Sequence, residues 1–201
     1  MDWIAAIGAV GDLGEHAPFP LLQEAKKKYT AKALKDAAAL LNAARRSSGF
    51  DPEVAARALL SHNSPKELVR SDSDDVARLN QAREEVKAAL SEGRKVAPKF
   101  AGQVALIKLD SPCQIHPLIA QQWRARLPKF IVIAANFGYL KNRVNFSART
   151  NSGQSVLDFL RAIELSPGEG NFGHGHDAAS GGSLPLERWN ELMQKLGFET
   201  K

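Results

Sequence analysis

Apolar positions recur every three to four residues through the first half of the chain, then switch to a shorter period. Ala33, Leu34, Ala37, Leu40, Leu41 and Ala44 fall on one face of a helix that Thr30 can cap and that runs to about Ser47. Asp51-Pro52 joins a capping side chain to the residue favoured at a first helical position, and Val54, Ala55, Ala58 and Leu59 supply the stripe behind it. Ser64-Pro65-Lys66-Glu67 has capping-box spacing. Ser73-Asp74-Asp75 places negative charge at the start of a longer helix, striped by Val76, Leu79, Val86 and Leu90 and ended by Gly93. Beyond it, 103–109 reads as a strand and 115–127 as a helix with Ile119 and Trp123 inward. A buried strand follows over 129–135, rich in β-branched residues. Phe137-Gly138 turns the chain into a second strand over 139–148 that pairs back onto the first. Residues 154–164 read as a helix and the Gly- and Ser-rich segment 166–183 as a loop. Leu186, Trp189, Leu192, Met193 and Leu196 stripe a last helix, entered by Pro185 and ended by Gly197. The order predicts an α/β fold: a helical connector, a break at Pro98, then a mixed-sheet α/β domain.

Composition narrows the class. The 201 residues are 44% hydrophobic and 24% charged, which excludes a mainly disordered chain, a collagen-like fibre and a disulfide scaffold. Cys113 is the lone cysteine, so no intrachain disulfide can form, and a reducing, cytoplasmic setting is expected. The longest strongly apolar stretch, 130–137, is too short to span a bilayer, so no membrane partner is expected. The apolar run from Trp3 to Gly11 carries Asp2 ahead of it and no basic region, unlike a secretory signal. Net charge is +5, unevenly spread: residues 101–150 hold seven cations against one carboxylate. Such a block suits phosphate-rich partners; a solvated surface with a chance excess of cations is the alternative reading.

Four local patterns carry candidate chemistry. The literal G-x-G-x-x-G at Gly168–Gly173 follows Ser166-Pro167 rather than a strand and leaves no room for a βαβ unit, which argues against a dinucleotide fingerprint. His174, His176 and Asp177 lie among Gly173, Gly175, Gly181 and Gly182. Accessible backbone N–H groups there could wrap an anion, with a histidine as a directional donor; a flexible turn with an incidental histidine is equally open. In Ser147-Ala148-Arg149-Thr150 a guanidinium flanked by hydroxyls ends a strand, which suits phosphate or carboxylate recognition as well as a surface salt bridge. Asp12 ends the N-terminal apolar run, but one carboxylate cannot hold a catalytic metal, and Glu15 and His16 add no convincing spacing. Cys113 has only His116 nearby and reads as structural.

Three of these segments, in order, resemble the C-terminal part of DHH-family phosphoesterases, which include RecJ-type single-strand exonucleases and nano-RNases. Ala5-Ala6-Ile7-Gly8-Ala9-Val10-Gly11-Asp12 resembles the family's A-x-G-T-V-A-D segment, whose Asp is a ligand of the catalytic manganese pair. Phe146-Ser147-Ala148-Arg149-Thr150 resembles its S-x-R-S segment, whose Arg contacts substrate phosphate. Gly175-His176-Asp177-Ala178-Ala179-Ser180-Gly181-Gly182 resembles the G-G-H-x-x-A-A-G signature of the DHH-associated domain, although His174 stands where its first Gly usually sits and Ser180 replaces the second small, Ala-type residue.

The resemblance favours a functional role for His176. It implies a remnant of the catalytic domain over 1–19, opening within that domain's last strand, a helical connector over 20–98 and a DHH-associated substrate-binding domain over 99–201. The D-H-H triplet and its companion Asp clusters do not occur. The expected function is therefore a nucleic-acid or oligonucleotide phosphate-binding module, inactive without the metal-binding domain. Ser147, Arg149, Thr150, Gly175, His176, Gly181 and Gly182 would contact substrate. Asp12 would bind metal only where the missing domain is present, and Mn2+ would serve a complete relative but not this chain alone. The expected partners are single-stranded nucleic acid or short oligonucleotides, with a catalytic-domain chain or a second copy as further candidates. The alternatives are a degenerate interaction or oligomerisation module and a self-sufficient metal phosphoesterase built on Asp12, His16, His174 and His176.

Overall fold

The computed structural model describes residues 2–14 and 16–199, and Glu15 lies outside them. The chain divides into two compact units, residues 1–87 and 88–201.

The first unit is helical: α1 (Asp2–Leu13), α2 (Pro20–Tyr29), α3 (Ala31–Arg46), α4 (Pro52–Leu60), α5 (Pro65–Arg70) and the first part of α6 (Asp74–Gly93). Capping chemistry sets the boundaries as the sequence predicts. The side chains of Thr30, Asp51 and Ser64 accept from the N–H of Ala33, Val54 and Glu67. Ser73 accepts from Val76 N at 3.4 Å. In α5 the reciprocal half of the box slips by one residue, with Glu67 Oε2 accepting from Asn63 N at 2.8 Å.

The N-terminal segment departs from the expectation of a catalytic-domain strand. Trp3, Ala6 and Ile7 repeat at helical spacing and bury into one cluster with Leu34, Ala37 and Ala38 of α3 and Leu22 of α2. The alanine-rich face of α3 lets α1 approach closely. Among the described residues no helix is long and apolar enough to cross a membrane.

The second unit is a mixed six-stranded α/β sheet. It contains β1 (Lys99–Ala101), β2 (Val104–Leu109), α7 (His116–Arg126), β3 (Ile131–Asn136), β4 (Arg143–Thr150), α8 (Val156–Arg161), β5 (Asn171–His176), β6 (Ala179–Pro185) and α9 (Leu186–Lys195). The spatial order is β1-β2-β3-β4-β6-β5. β2 and β3 run parallel, joined through α7; every other pair is antiparallel. Fully buried Asn136 closes β3 onto the loop after β2. Its Oδ1 accepts from Ser111 N at 3.0 Å and its Nδ2 donates to Cys113 O at 2.9 Å.

One sheet face carries Leu106, Ile131, Ile133, Val144, Phe146, Ala148 and Leu184 against Val156, Leu160, Trp189, Leu192 and Met193 of α8 and α9. The Trp189 ring meets Phe137 edge-on at 6.0 Å and Phe146 at 5.3 Å. The other face is covered over β3 and β4 by α7.

Two corrections follow from long-range pairing. β1 pairs antiparallel with β2 just past Pro98, where no strand was expected. The segment 166–183, read as a loop, holds β5 and most of β6, a hairpin paired to β4. Its glycines hide the strand pattern, because they leave no side-chain alternation to read.

Candidate functional site

β4 alternates cleanly. Val144, Phe146 and Ala148 enter the apolar core, so Arg143, Asn145, Ser147 and Arg149 point to the opposite face. Register carries that face across three strands. Asn145 pairs with Ser183 and Ser183 with Asn171; Ser147 pairs with Gly181 and Gly181 with His174; Arg149 pairs with Ala179 and Ala179 with His176.

A bulge in β5 makes this possible. The register shifts between Phe172 and His174, with Gly173 as the extra residue at φ +71°. Because a one-residue slip exchanges the two faces of a strand, the bulge turns His174 and His176 onto the polar side while Phe172 stays with the core. Arg161 Nε holds the bulge by donating to Gly173 O at 3.1 Å.

Gly181, in the middle row, is required by close approach. A Cβ there would stand inside 3.0 Å of the Phe146 carbonyl oxygen and 3.2 Å from Ser147 Cα. The β5–β6 turn is tied to the end of β4. Val156 N donates to Asp177 O at 2.7 Å, Thr150 N to Ala178 O at 3.3 Å, and Ser155 Oγ to Asp177 Oδ1 at 3.0 Å.

The face is rich in uncompensated positive charge. Half-buried Arg149 donates from Nη1 to Ala148 O at 3.0 Å and Ser180 O at 3.1 Å. No carboxylate among the described residues pairs with it. Burial, and then the neighbouring charge of Arg124 on α7, pull its guanidinium pKa below the usual value. His116, the first residue of α7, is buried. Desolvation and then the charge of Arg149 push its imidazole down to about 4, so it is neutral at pH 7. His116 Nδ1 and Trp123 Nε1 of α7 and Asn145 Oδ1 of β4 are buried polar atoms that make no hydrogen bond. Each such atom costs on the order of 1–3 kcal/mol in a protein interior.

Beside β4 the face opens into a concavity of about 670 Å³ lined by Arg143, Asn171, His174, Gly181 and Ser183, with Glu169 on its wall. Arg143 is braced there, with Nε donating to Ser183 Oγ at 3.0 Å and Nη2 to Ser183 O at 2.8 Å. The glycine motif at 168–173 behaves unlike a phosphate loop. The carbonyls of Gly168, Glu169 and Gly170 converge on Arg188 Nη1 at 2.8–3.2 Å, so this backbone cradles a cation.

Of the residues the sequence singles out, Ser147, Arg149, His176 and Gly181 share the polar face, and Ser147 is buried on it. Thr150, Gly175 and Gly182 fall on the other side of the pleat. Thr150 Oγ1 donates to Phe130 O at 3.1 Å, and Gly182 contributes its backbone to the concavity. Asp12 is exposed on α1 in the other unit.

Sequence reasoning missed Arg143, Asn145, His116 and Trp123 as members of the site. The first two were legible in the period of two through Arg143, Asn145, Ser147 and Arg149. The α7 pair carries no such signal, since the strand they meet lies some thirty residues on.

Among the described residues, no three or more His, Cys, Asp or Glu side chains group closely enough to hold an ion. The described residues by themselves supply no ligand set for a catalytic metal pair.

The fold and face define a mixed α/β sheet unit with a cationic polar surface, preceded by a helical unit. No protein-family model matches the sequence, and no curated protein matches it. Among solved structures, RecJ from Thermus thermophilus, determined in complex with Mg2+, matches with a TM-score of 0.61 at 16% identity, over 98% of this chain and 33% of that one. The chain thus spans about a third of the RecJ chain and shares its fold there. A pGpG-specific phosphodiesterase, PggH from Vibrio cholerae, matches with a TM-score of 0.49 at 16% identity, over 98% of this chain and 66% of that one, too distant a likeness to add to the argument.

Proposed function

We propose that this chain is the substrate-holding part of a DHH-type phosphoesterase. It binds the phosphates of single-stranded nucleic acid or short oligonucleotides on the β4–β6–β5 face and does not hydrolyse them by itself. The observation that carries this reading is the three-row polar face beside Arg149 and Arg124, two guanidinium groups with no carboxylate partner among the described residues. An anion supplies the missing counter-charge, and arginine's planar fork suits a phosphate. The ordered motif resemblance and the likeness in fold to RecJ support the same reading.

In this account His174, His176 and Arg143 line the path of the strand, and Arg149 anchors a phosphate. Residues 1–19 belong with a catalytic domain, 20–98 connect, and 99–201 hold substrate. Asp12 takes part in metal binding only beside that domain, with manganese as the expected ion. A cytoplasmic location belongs to the same account and rests on the lone Cys113. The test is twofold. Fluorescently labelled oligothymidylate should bind the pure chain with salt-dependent affinity, and manganese-dependent release of mononucleotides should be absent. Robust turnover by the pure chain would overturn the second half.

A second reading, an interaction module, is favoured by one observation. Leu13, Phe19 and Leu21 are 59%, 44% and 39% exposed at and around the α1–α2 connection. Such apolar exposure suits burial against another chain, either a catalytic domain or a second copy.

A further inference from the structure

His116, Ile119, Ala120 and Trp123 stand at helical spacing on one face of α7, and the middle two are fully buried. That face packs on β3 and β4. On β4 the side chains facing α7 are the odd-numbered ones, because Val144, Phe146 and Ala148 are taken up in the core with α8 and α9 on the opposite face. The polar face of β4 therefore continues from the open concavity to α7, whose His116 is 5% exposed with Nδ1 unpartnered and whose Trp123 has an unpartnered Nε1. On the same face of β4, Asn145 Oδ1 is also unpartnered. Two ring nitrogens here lack a hydrogen-bond partner, and the Arg149 guanidinium lacks a carboxylate counter-charge.

We propose that α7 forms a wall of the anion site, with His116 as a binding residue that takes up a proton when a phosphodiester lies against Arg149. This rests on the phosphate-binding reading of the same face. Among the described residues, Arg149 from β4 is the charged group acting on His116; the Tyr139 ring is centred 6.1 Å away, and buried Cys113 lies three residues ahead of His116. Among the described residues, no carboxylate acts on His116. An anion at Arg149 cancels the repulsion that keeps the ring neutral and offers an acceptor for a second N–H. The proton then adds to affinity, and binding tightens as pH falls. The step is a protonation from solvent; no covalent bond to the ligand forms or breaks.

The test uses the full chain and hexathymidylate lacking terminal phosphates, because its phosphodiesters and bases do not titrate near neutral pH. Histidine ring signals are followed by NMR against pH, free and saturated with ligand. His116→Gln identifies the signal; should that variant not fold, H16N, H62N, H174N and H176N, the other four of the five histidines, identify it by elimination. The His116 midpoint should rise by a unit or more on binding. If it recovers most of the way toward its ordinary value, affinity should be roughly tenfold tighter at about pH 5 than at about pH 7.5, beyond any change that His116→Gln retains from His174 and His176. If ligand binds and depends on Arg149 while the midpoint stays put, this inference falls and the phosphate-binding reading stands. If hexathymidylate does not bind at any pH, both fall.

Discussion

Gly181→Ala is the sharpest steric probe of the β4–β6–β5 face. The residue sits on the middle strand between Ser147 and His174. An added Cβ would come within 3.0 Å of Phe146 O and to 3.2 Å of Ser147 Cα, both belonging to the backbone of β4 and so unable to swing away. The strands must separate, stretching the ladder bonds of the 147–181 row. Forcing a methyl into a packed site costs typically 1–3 kcal/mol, and a backbone obstacle places this substitution near the top, about 3 kcal/mol. A urea titration followed by tryptophan fluorescence reads it, since Trp189 lies in the same unit. The midpoint should fall with the slope unchanged. Oligonucleotide affinity should also fall in the fraction that remains folded, because Ser147 and His174 are moved apart. A loss under about 0.5 kcal/mol, with affinity intact, would refute the close approach on which the site geometry depends.

Two further substitutions test the core and the electrostatics. Trp189→Leu removes a ring that is 1% exposed and contacts Phe137 and Phe146, and should cost about 3 kcal/mol by the same titration; a cost below about 1 kcal/mol would contradict that packing. His116, held down to about 4 against an ordinary 6.5, makes the fold acid-sensitive. Between those values the unfolded chain binds the extra proton, so stability is present above about 6.5 and is lost progressively as pH falls toward 4. The full loss is on the order of 3 kcal/mol. His116→Gln should flatten that part of the pH profile, and an unchanged difference between pH 7 and pH 4 would show that burial does not hold the ring neutral.

The legible parts of this fold are those set by local chemistry. Thr30, Asp51, Ser64 and Ser73 fix helix starts because each hydroxyl or carboxylate satisfies an N–H three residues away, and that is written in sequence. The buried strand β3 was equally plain, since an all-apolar β-branched run can be little else. What stayed hidden depends on partners distant in the chain. β5 and β6 are strands only because β4 pairs with β6, and their glycines record the tightness of that pairing rather than a flexible loop. The Gly173 bulge, which decides the side on which His174 and His176 lie, cannot be read from a motif. Arg149 was found by its type and position. Its setting beside His116 and Arg124 depends on how α7 packs, and no spacing between residues 116 and 149 encodes that.

The measurement that bears most directly on the proposed function is the salt dependence of hexathymidylate binding to the wild-type chain and to Arg149→Ala, with urea midpoints confirming that both are folded. The account predicts that wild-type affinity falls as salt rises. It also predicts that Arg149→Ala weakens binding about tenfold or more and reduces the magnitude of the log–log salt slope by about 0.7, the loss of one phosphate contact to a single strand. Equal affinities and equal slopes for the two chains would contradict it.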